Sequence, residues 1–374
     1  VTATTTEDDI RHMRAALALA RRGLGRVWPN PAVGCVLVKD GNVIGRGWTQ
    51  PGGRPHAETE ALRRAGKAAK GATAYVTLEP CAHHGETPPC ADALIEAGIA
   101  RCFIAVEDPD PRVDGGGVRK LEGAGIEVRR GLCKDEAETL NAGFLSRLRK
   151  QRPFVTLKAA TTIDGRIATR SRDSQWITGP GARQVGHLMR ATHDAILVGA
   201  NTAMLDDPTL TCRVPGLLDR SPVRIVIDGR MRLPLTHNLV RGATGLPTWL
   251  FAFSPASPDR HERRKVYQDC GIKVFDVAAD ENGHPDPADV LRQLAEQGIT
   301  RLLIEGGGIV AAAFLSLGLI DELVWFRGPS VIGGDGLPAI AAFGVDILKD
   351  TPVARRISVE TMGVDLIERY SLAR

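Results

Sequence analysis

His56-Ala57-Glu58, then Pro80-Cys81, then Cys90 bring an imidazole, a carboxylate and two thiols into one ordered set. One histidine and two cysteines can hold zinc while leaving its fourth position open, whereas structural zinc sites are closed by four protein ligands. Water in the open position loses its proton near neutral pH. Glu58 is then spare to carry that proton. The spacing limits how these groups can meet. His56 and Glu58 are two residues apart, so in mid-helix they would diverge by roughly 200°. They converge only if His56 enters at a helix end, with Ala57 to Ala69 continuing the helix. Gly52-Gly53-Arg54-Pro55 in front supports that start.

H-x-E followed by P-C and a second Cys is the logic of zinc deaminases, in which the Glu is the general acid and base and not a ligand. Ala82 to Pro89 separate the two cysteines, in place of a C-x-x-C pair. Both thiols are expected near helix starts, since Pro88-Pro89 precedes Cys90-Ala-Asp-Ala-Leu-Ile-Glu-Ala. A helix N-terminus favours the thiolate.

The elements that must position these groups follow from periodicity. Ile10 to Arg22 reads as a helix with Met13, Leu17 and Ala20 on one face. Val33–Val38 and Asn42–Trp48 flank Lys39-Asp40-Gly41, a hairpin signal. Thr73–Leu78 reads as a buried strand that delivers Cys81 at its C-terminal end. A helix from Cys90, a strand at Arg101–Val106, a helix at Gly117–Gly123 and a strand at Ile126–Arg129 follow. Alternating strands and helices imply an α/β/α layer with the site at the strand ends. Gln151-Arg152-Pro153 marks a boundary after the basic run Arg147-Leu-Arg-Lys150, which reads as a solvated helix end. Residues 1–150 and 151–374 are therefore expected to form two domains. A second α/β series has strands at Phe154–Ala160, Ala195–Val198, Val223–Ile227, Thr248–Phe251, Ile272–Phe275 and Arg301–Ile304. Glu305-Gly306-Gly307-Gly308 then leads into a helix from Ile309 to Leu317. A strand, a glycine turn and a helix N-terminus suit a phosphate, although glycines also serve any tight turn.

Composition sets bounds on function. The chain has 374 residues, a length that suits two domains, with 43% hydrophobic and 25% charged residues, as in ordinary globular proteins. A net charge of +4 and 5% aromatic content do not make a nucleic-acid platform. The seven cysteines are scattered and odd in number, which suits a reducing compartment. No stretch reaches the length of a membrane span. The N-terminal stretch is polar and acidic with no apolar signal core, so a cytoplasmic protein is expected, and its start at Val1 instead of Met reads as processing or a cloning remnant.

Together these motifs resemble the bifunctional riboflavin-biosynthesis deaminase/reductase family, nearly end to end from Met13 to about Leu372. The first half carries Trp28-Pro-Asn-Pro-Ala-Val-Gly-Cys-Val, His56-Ala-Glu-Thr-Glu-Ala-Leu and Thr77-Leu-Glu-Pro-Cys-Ala-His-His-Gly-Glu-Thr-Pro-Pro-Cys. The second half carries Leu157-Lys-Ala-Ala-Thr-Thr-Ile-Asp-Gly, Ser174-Gln-Trp-Ile-Thr, Asp206-Asp-Pro-Thr-Leu-Thr-Cys-Arg and Glu305-Gly-Gly-Gly. The resemblance implies a cytidine-deaminase-like α/β/α domain followed by a dihydrofolate-reductase-like α/β domain. It implies one zinc ion on His56, Cys81 and Cys90, with Glu58 moving the protons of a hydrolytic deamination. The substrate is then a diaminopyrimidinone ribosylamine phosphate, whose ribosyl group NADPH reduces to ribityl in the second domain. Asn30 and His83 would contact the pyrimidine. Ser174, Arg190, Leu210, Arg213 and Glu305 match substrate positions of the reductase, with Arg190 and Arg213 as phosphate partners. Ala160, Trp176, Thr202, Asp206, Gly307, Gly308 and Ile309 match cofactor positions. A homo-oligomer, dimer or tetramer, is expected from the family. Three positions depart from its pattern: Thr162 replaces Ser, Asp228-Gly229 replaces Asp-Ser, and Gly306-Gly307-Gly308 replaces Ala-Gly-Pro. The competing readings are a single-activity deaminase of a nucleotide or tRNA with a non-catalytic second half, and a zinc-stabilised assembly protein with no use for Glu58.

Overall fold

The computed structural model describes residues 5–83, 88–110 and 115–372. His84 to Thr87 of the cysteine motif, and the first four residues of the acidic N-terminal stretch, lie outside the described residues. The chain divides into two compact units, Val1–Gln151 and Arg152–Arg374.

The first unit holds strands β1 (Gly34–Lys39), β2 (Asn42–Trp48), β3 (Thr73–Val76), β4 (Arg101–Ile104) and β5 (Glu127–Arg130). Its helices are α1 (Glu7–Ala20), α2 (Ala57–Ala65), α3 (Cys90–Glu96), α4 (Gly116–Gly123), α5 (Lys134–Leu140) and α6 (Ala142–Lys150). The sheet order is β2-β1-β3-β4-β5, with β1 antiparallel to both neighbours and β3, β4 and β5 parallel. Asp40 and Gly41 close the first hairpin, both at positive φ (51° and 76°), the twist a two-residue turn needs. α1 starts earlier than its apolar period predicts, because Thr6 and Asp9 form a reciprocal capping box. α2 stops at Ala65 instead of Ala69: Gly66 takes a positive φ at its C-cap, and a 3₁₀ turn completes the segment. Tyr75 and Phe103 stack in the core, and the Tyr75 hydroxyl donates to Asp9 of α1 at 2.7 Å.

The second unit contains strands β6 (Phe154–Thr161), β7 (Arg166–Ala168), β8 (Ala195–Gly199), β9 (Val223–Ile227), β10 (Thr248–Ala252), β11 (Lys273–Asp276), β12 (Arg301–Ile304), β13 (Glu322–Arg327), β14 (Leu337–Pro338), β15 (Arg355–Met362) and β16 (Asp365–Ser371). Helices α7 (Pro180–Thr192), α8 (Ala200–Asp206), α9 (Asn238–Arg241), α10 (Pro258–Asp269), α11 (Pro287–Glu296) and α12 (Gly308–Ser316) alternate with them. The large sheet runs β11-β10-β9-β8-β12-β6-β13-β16-β15. It is parallel from β11 to β13, while β16 and β15 are antiparallel additions. β12 enters between β6 and β8, so the chain reverses direction across the sheet there, the place where sheets of this kind bind ligands beyond their C-terminal strand ends. The opposite ends are sealed by buried carboxylates. Asp194 accepts the Thr300 and Arg301 N–H groups at 2.7 and 2.9 Å. Asp321 accepts the Val155 N–H at 2.9 Å and pairs with the Arg152 fork. Among the described residues, no helix is long and apolar enough to cross a membrane.

Candidate zinc centre and the Arg190–Glu305 cluster

His56 is the N-cap of α2, with extended backbone at φ −71° and ψ 164°. The helix lies directly on β2, since a Cβ on Gly47 would stand 2.0 Å from the Ala57 carbonyl oxygen. That entry turns both the imidazole and the buried Glu58 of the first turn into one pocket. Cys90 is the first residue of α3. Cys81 differs from its expectation: it belongs to no helix, but its sulfur accepts the Cys90 N–H at 3.3 Å and so still meets a helix N-terminus.

The His56 Nδ1 stands 3.3 Å from the Cys90 sulfur and 3.7 Å from the Cys81 sulfur, and all three ligand atoms lie within 4.8 Å of one another. A tetrahedral zinc with ordinary bond lengths needs ligand separations of roughly 3.6–3.8 Å, so the three fit the ion. The electrostatics agree with that donor set. A hydrogen bond from the Cys90 thiol, against the cost of burial, brings the Cys81 thiol down to about 4. Cys90, sharing that proton and buried, is pushed up; a divalent cation releases the proton, as ligating thiols require. Burial raises the Glu58 carboxyl to about 7, against the pull of His56. Asn30 is held beside the entry to α2. Gly53, at φ +86°, has no room for a side chain because the Asn30 amide nitrogen lies 1.8 Å from where its Cβ would be. His83 has a buried Nδ1 with no protein partner, a nitrogen available to a ligand.

In the second unit the Arg190 fork, on α7, grips Glu305 through Nε at 2.8 Å and Nη2 at 2.9 Å. Its Nη1 donates to the Thr211 carbonyl oxygen at 2.9 Å, which brings the Leu210–Thr211 backbone to the same place. Leu210 itself turns its side chain into the core and takes a positive φ of 53°. Burial pushes the Glu305 carboxyl up, but Arg190 and Lys158 outweigh it and hold it at about 2. Arg190 is thus committed to a carboxylate, and Arg213 is the exposed guanidinium of the predicted pair. Lys158, with Nζ 3.8 Å from Glu305, belongs to this cluster although its position carries no assignment from sequence. Its signal was available: it is a lone cation in the apolar run Phe154–Ala160.

Thr202 meets the glycine turn, its Oγ1 3.3 Å from where a Cβ on Gly307 would lie. Gly307 is the N-cap of α12 at φ +73° and offers no side chain to the first amides, which are therefore open to a phosphate. Ala160 is the last residue but one of β6, Ile309 is 65% exposed, and Trp176 is 67% exposed with Arg183 stacked 4.4 Å above it. Ser174 and Asp206 are exposed as well. The three departures have local causes. Phe253 fills the space a side chain at Gly229 would need, at 2.6 Å, and a Cβ on Gly308 would press on the Pro338 carbonyl oxygen at 2.7 Å. Thr162 keeps a hydroxyl, which donates to Asp164 at 2.6 Å and accepts the Arg166 N–H at 3.0 Å.

Comparison with known proteins agrees along the chain. The family described as cytidine and deoxycytidylate deaminase zinc-binding region matches residues 6–106, and the RibD C-terminal domain matches residues 153–367. The riboflavin biosynthesis protein RibD of Bacillus amyloliquefaciens is 43% identical over 95% of this chain and 94% of its own. That of Escherichia coli is 42% identical over 96% of this chain and 98% of its own. The solved structure of Acinetobacter baumannii RibD superposes with a TM-score of 0.86 at 36% identity, covering 98% of this chain and 99% of that one. A Thermotoga maritima structure described as a diaminohydroxyphosphoribosylaminopyrimidine deaminase/5-amino-6-(5-phosphoribosylamino)uracil reductase gives 0.85 at 36% identity, over 97% and 98% of the two chains.

Proposed function

The chain belongs to the bifunctional riboflavin-biosynthesis deaminase/reductase family, and from that premise we propose how its own residues divide the two reactions. It is a zinc- and NADPH-dependent enzyme of riboflavin biosynthesis that deaminates a phosphorylated diaminopyrimidinone ribosylamine and reduces its ribosyl side chain to ribityl. The reading of a single-activity deaminase is not favoured, since the reductase family spans residues 153–367. We assign deamination to the unit ending at Gln151 and reduction to the unit that follows.

One observation carries the first assignment: three ligand atoms spaced for zinc, with a buried carboxylate two residues beyond the histidine. Bound there, zinc supplies a Lewis acid that makes water nucleophilic near neutral pH. His56, Cys81 and Cys90 hold it. Glu58 takes one proton of the water and delivers it to the ring nitrogen. It then takes the remaining proton of the hydroxyl added to the ring carbon and delivers it to the amine, which leaves as ammonia while the carbonyl forms. Asn30 and His83 orient the ring, His83 through the nitrogen that has no protein partner. In the second unit NADPH supplies the hydride. Ala160, Trp176, Thr202, Asp206 and the Gly307–Ile309 turn bind it, with the open amides of α12 on a phosphate. Ser174, the Leu210 backbone and exposed Arg213 bind the phosphorylated sugar. Arg190 and Lys158 keep Glu305 ionised and oriented against it. Glu58→Gln is expected to keep its zinc and lose ammonia release by about 100-fold or more, the scale of a positioned general acid. Metal content and ammonia release measure both, and full activity in the variant would overturn the assignment.

The protein is further assigned to the cytoplasm as a homo-oligomer, dimer or tetramer. All seven cysteines are free, which supports a reducing compartment testable by cell fractionation. β15 is an edge strand, and its hairpin with β16 exposes Ile357, Val359 and Leu366, an apolar strip suited to a second copy. Light scattering is expected to report a dimer or tetramer; a monomer at micromolar concentration would contradict it.

A further inference from the structure

Of the three zinc ligands, Cys81 alone has no helix of its own to fix it. Its backbone follows β3 as an irregular stretch, and the question is what holds that stretch in place. Glu79, two residues earlier, is buried, and its side chain reaches two other elements. Its Oε2 accepts the Asp108 N–H at 3.2 Å, in the loop after β4, and its Oε1 accepts the Val118 N–H at 3.1 Å. Its own N–H donates to the Val106 carbonyl oxygen at 2.9 Å. Val118 is the third residue of α4, whose N-cap, Gly115, contributes no side-chain bond. Among the described residues, a cap of α4 comes from the strand end that carries a zinc ligand, and a carboxylate is the favoured group there.

The capped helix comes down on the residues flanking Cys81. A Cβ on Gly117 would lie 2.0 Å from the Pro80 carbonyl oxygen, and one on Gly116 would lie 3.2 Å from the Ala82 Cβ. Only a residue without a side chain lets α4 approach Pro80 this closely. We propose that Glu79 and Gly117 together clamp the Pro80–Ala82 backbone under α4 and so set the Cys81 sulfur where zinc requires it. Glu79 is a positioning residue that acts through the ligand. The inference rests on the zinc reading of His56, Cys81 and Cys90.

The test follows zinc transfer from the loaded full-length chain to the coloured chelator pyridylazoresorcinol. Glu79→Gln leaves an amide NH₂ facing a backbone N–H; Gly117→Ala lifts α4 off Pro80. Thr6→Ala removes the cap of α1, which among the described residues has no bond to the cysteine stretch, and reports the effect of losing any cap in this unit. E79Q and G117A are each expected to release zinc about 10–100-fold faster than the parent, as loss of a ligand's supporting shell does. Thr6→Ala is expected to release it at the parental rate, and reduction of supplied deaminated intermediate is expected unchanged in all three. Parental release rates in E79Q and G117A would overturn the clamp. So would equal acceleration in Thr6→Ala, or two clamp variants that fail to fold even with zinc, since either marks a general structural role. A parent chain that binds no zinc would instead sink the zinc reading itself.

Discussion

Glu58 and Glu305 are both buried carboxylates, and their surroundings drive them in opposite directions. Burial carries Glu58 up to about 7, where a carboxyl can both take and give a proton. Glu305 is held at about 2: burial alone would raise it, but Arg190 and Lys158 prevail, so it stays a fixed charge. The sign of its effect on stability follows. A carboxyl lowered from 4.5 to about 2 contributes stability that is fully present above 4.5 and is lost as pH falls toward 2. Glu305→Gln leaves the Arg190 guanidinium buried without its counter-charge. It is expected to cost roughly 3–5 kcal/mol at neutral pH. The gap to the parent should close as the pH is lowered through that window, because the parent then loses the same charge. Denaturant unfolding across the range measures it, and a pH-independent gap would show that the pair is not ionised as described.

At the scale of elements, the legible part of the chain was the part governed by local rules. H-x-E at a helix entry, Pro-Cys after a buried strand and Pro-Pro before Cys90 are short-range signals, and His56 and Cys90 take the places those signals imply. The Arg190–Glu305 pair joins residues 115 apart, and no spacing rule connects α7 to the end of β12. Lys158 escaped for the same reason, since its partner is set by strand order. β13 is apolar on both faces and lacks the alternation that marks a strand, while β15 alternates only briefly, at Ile357 and Val359, in a largely exposed polar stretch. Leu210 takes a left-handed backbone that no leucine signals in advance. The glycine turn before α12 was legible as a turn, and the phosphate-binding role proposed for it rests on Gly307 leaving the helix amides open. Gly307→Ala puts a Cβ at positive φ beside Thr202, a strain on the order of 1 kcal/mol. It is expected to raise the KM for NADPH about tenfold while ammonia release stays at the parental rate. Unchanged KM would place the cofactor phosphates elsewhere.

At the scale of the whole molecule, two units with separate cores share one chain, and the product of the first chemistry is the substrate of the second. Nearly end-to-end likeness to proteins of the same two-part length fits that pairing. The most direct test supplies the purified, zinc-loaded protein with the diaminopyrimidinone ribosylamine phosphate and NADPH, and follows ammonia and nicotinamide absorbance in the same cuvette. One ammonia released for each NADPH consumed, with ammonia appearing first, is the predicted result. Ammonia release with no loss of NADPH absorbance would contradict the account, because the second unit would then not be the reductase described.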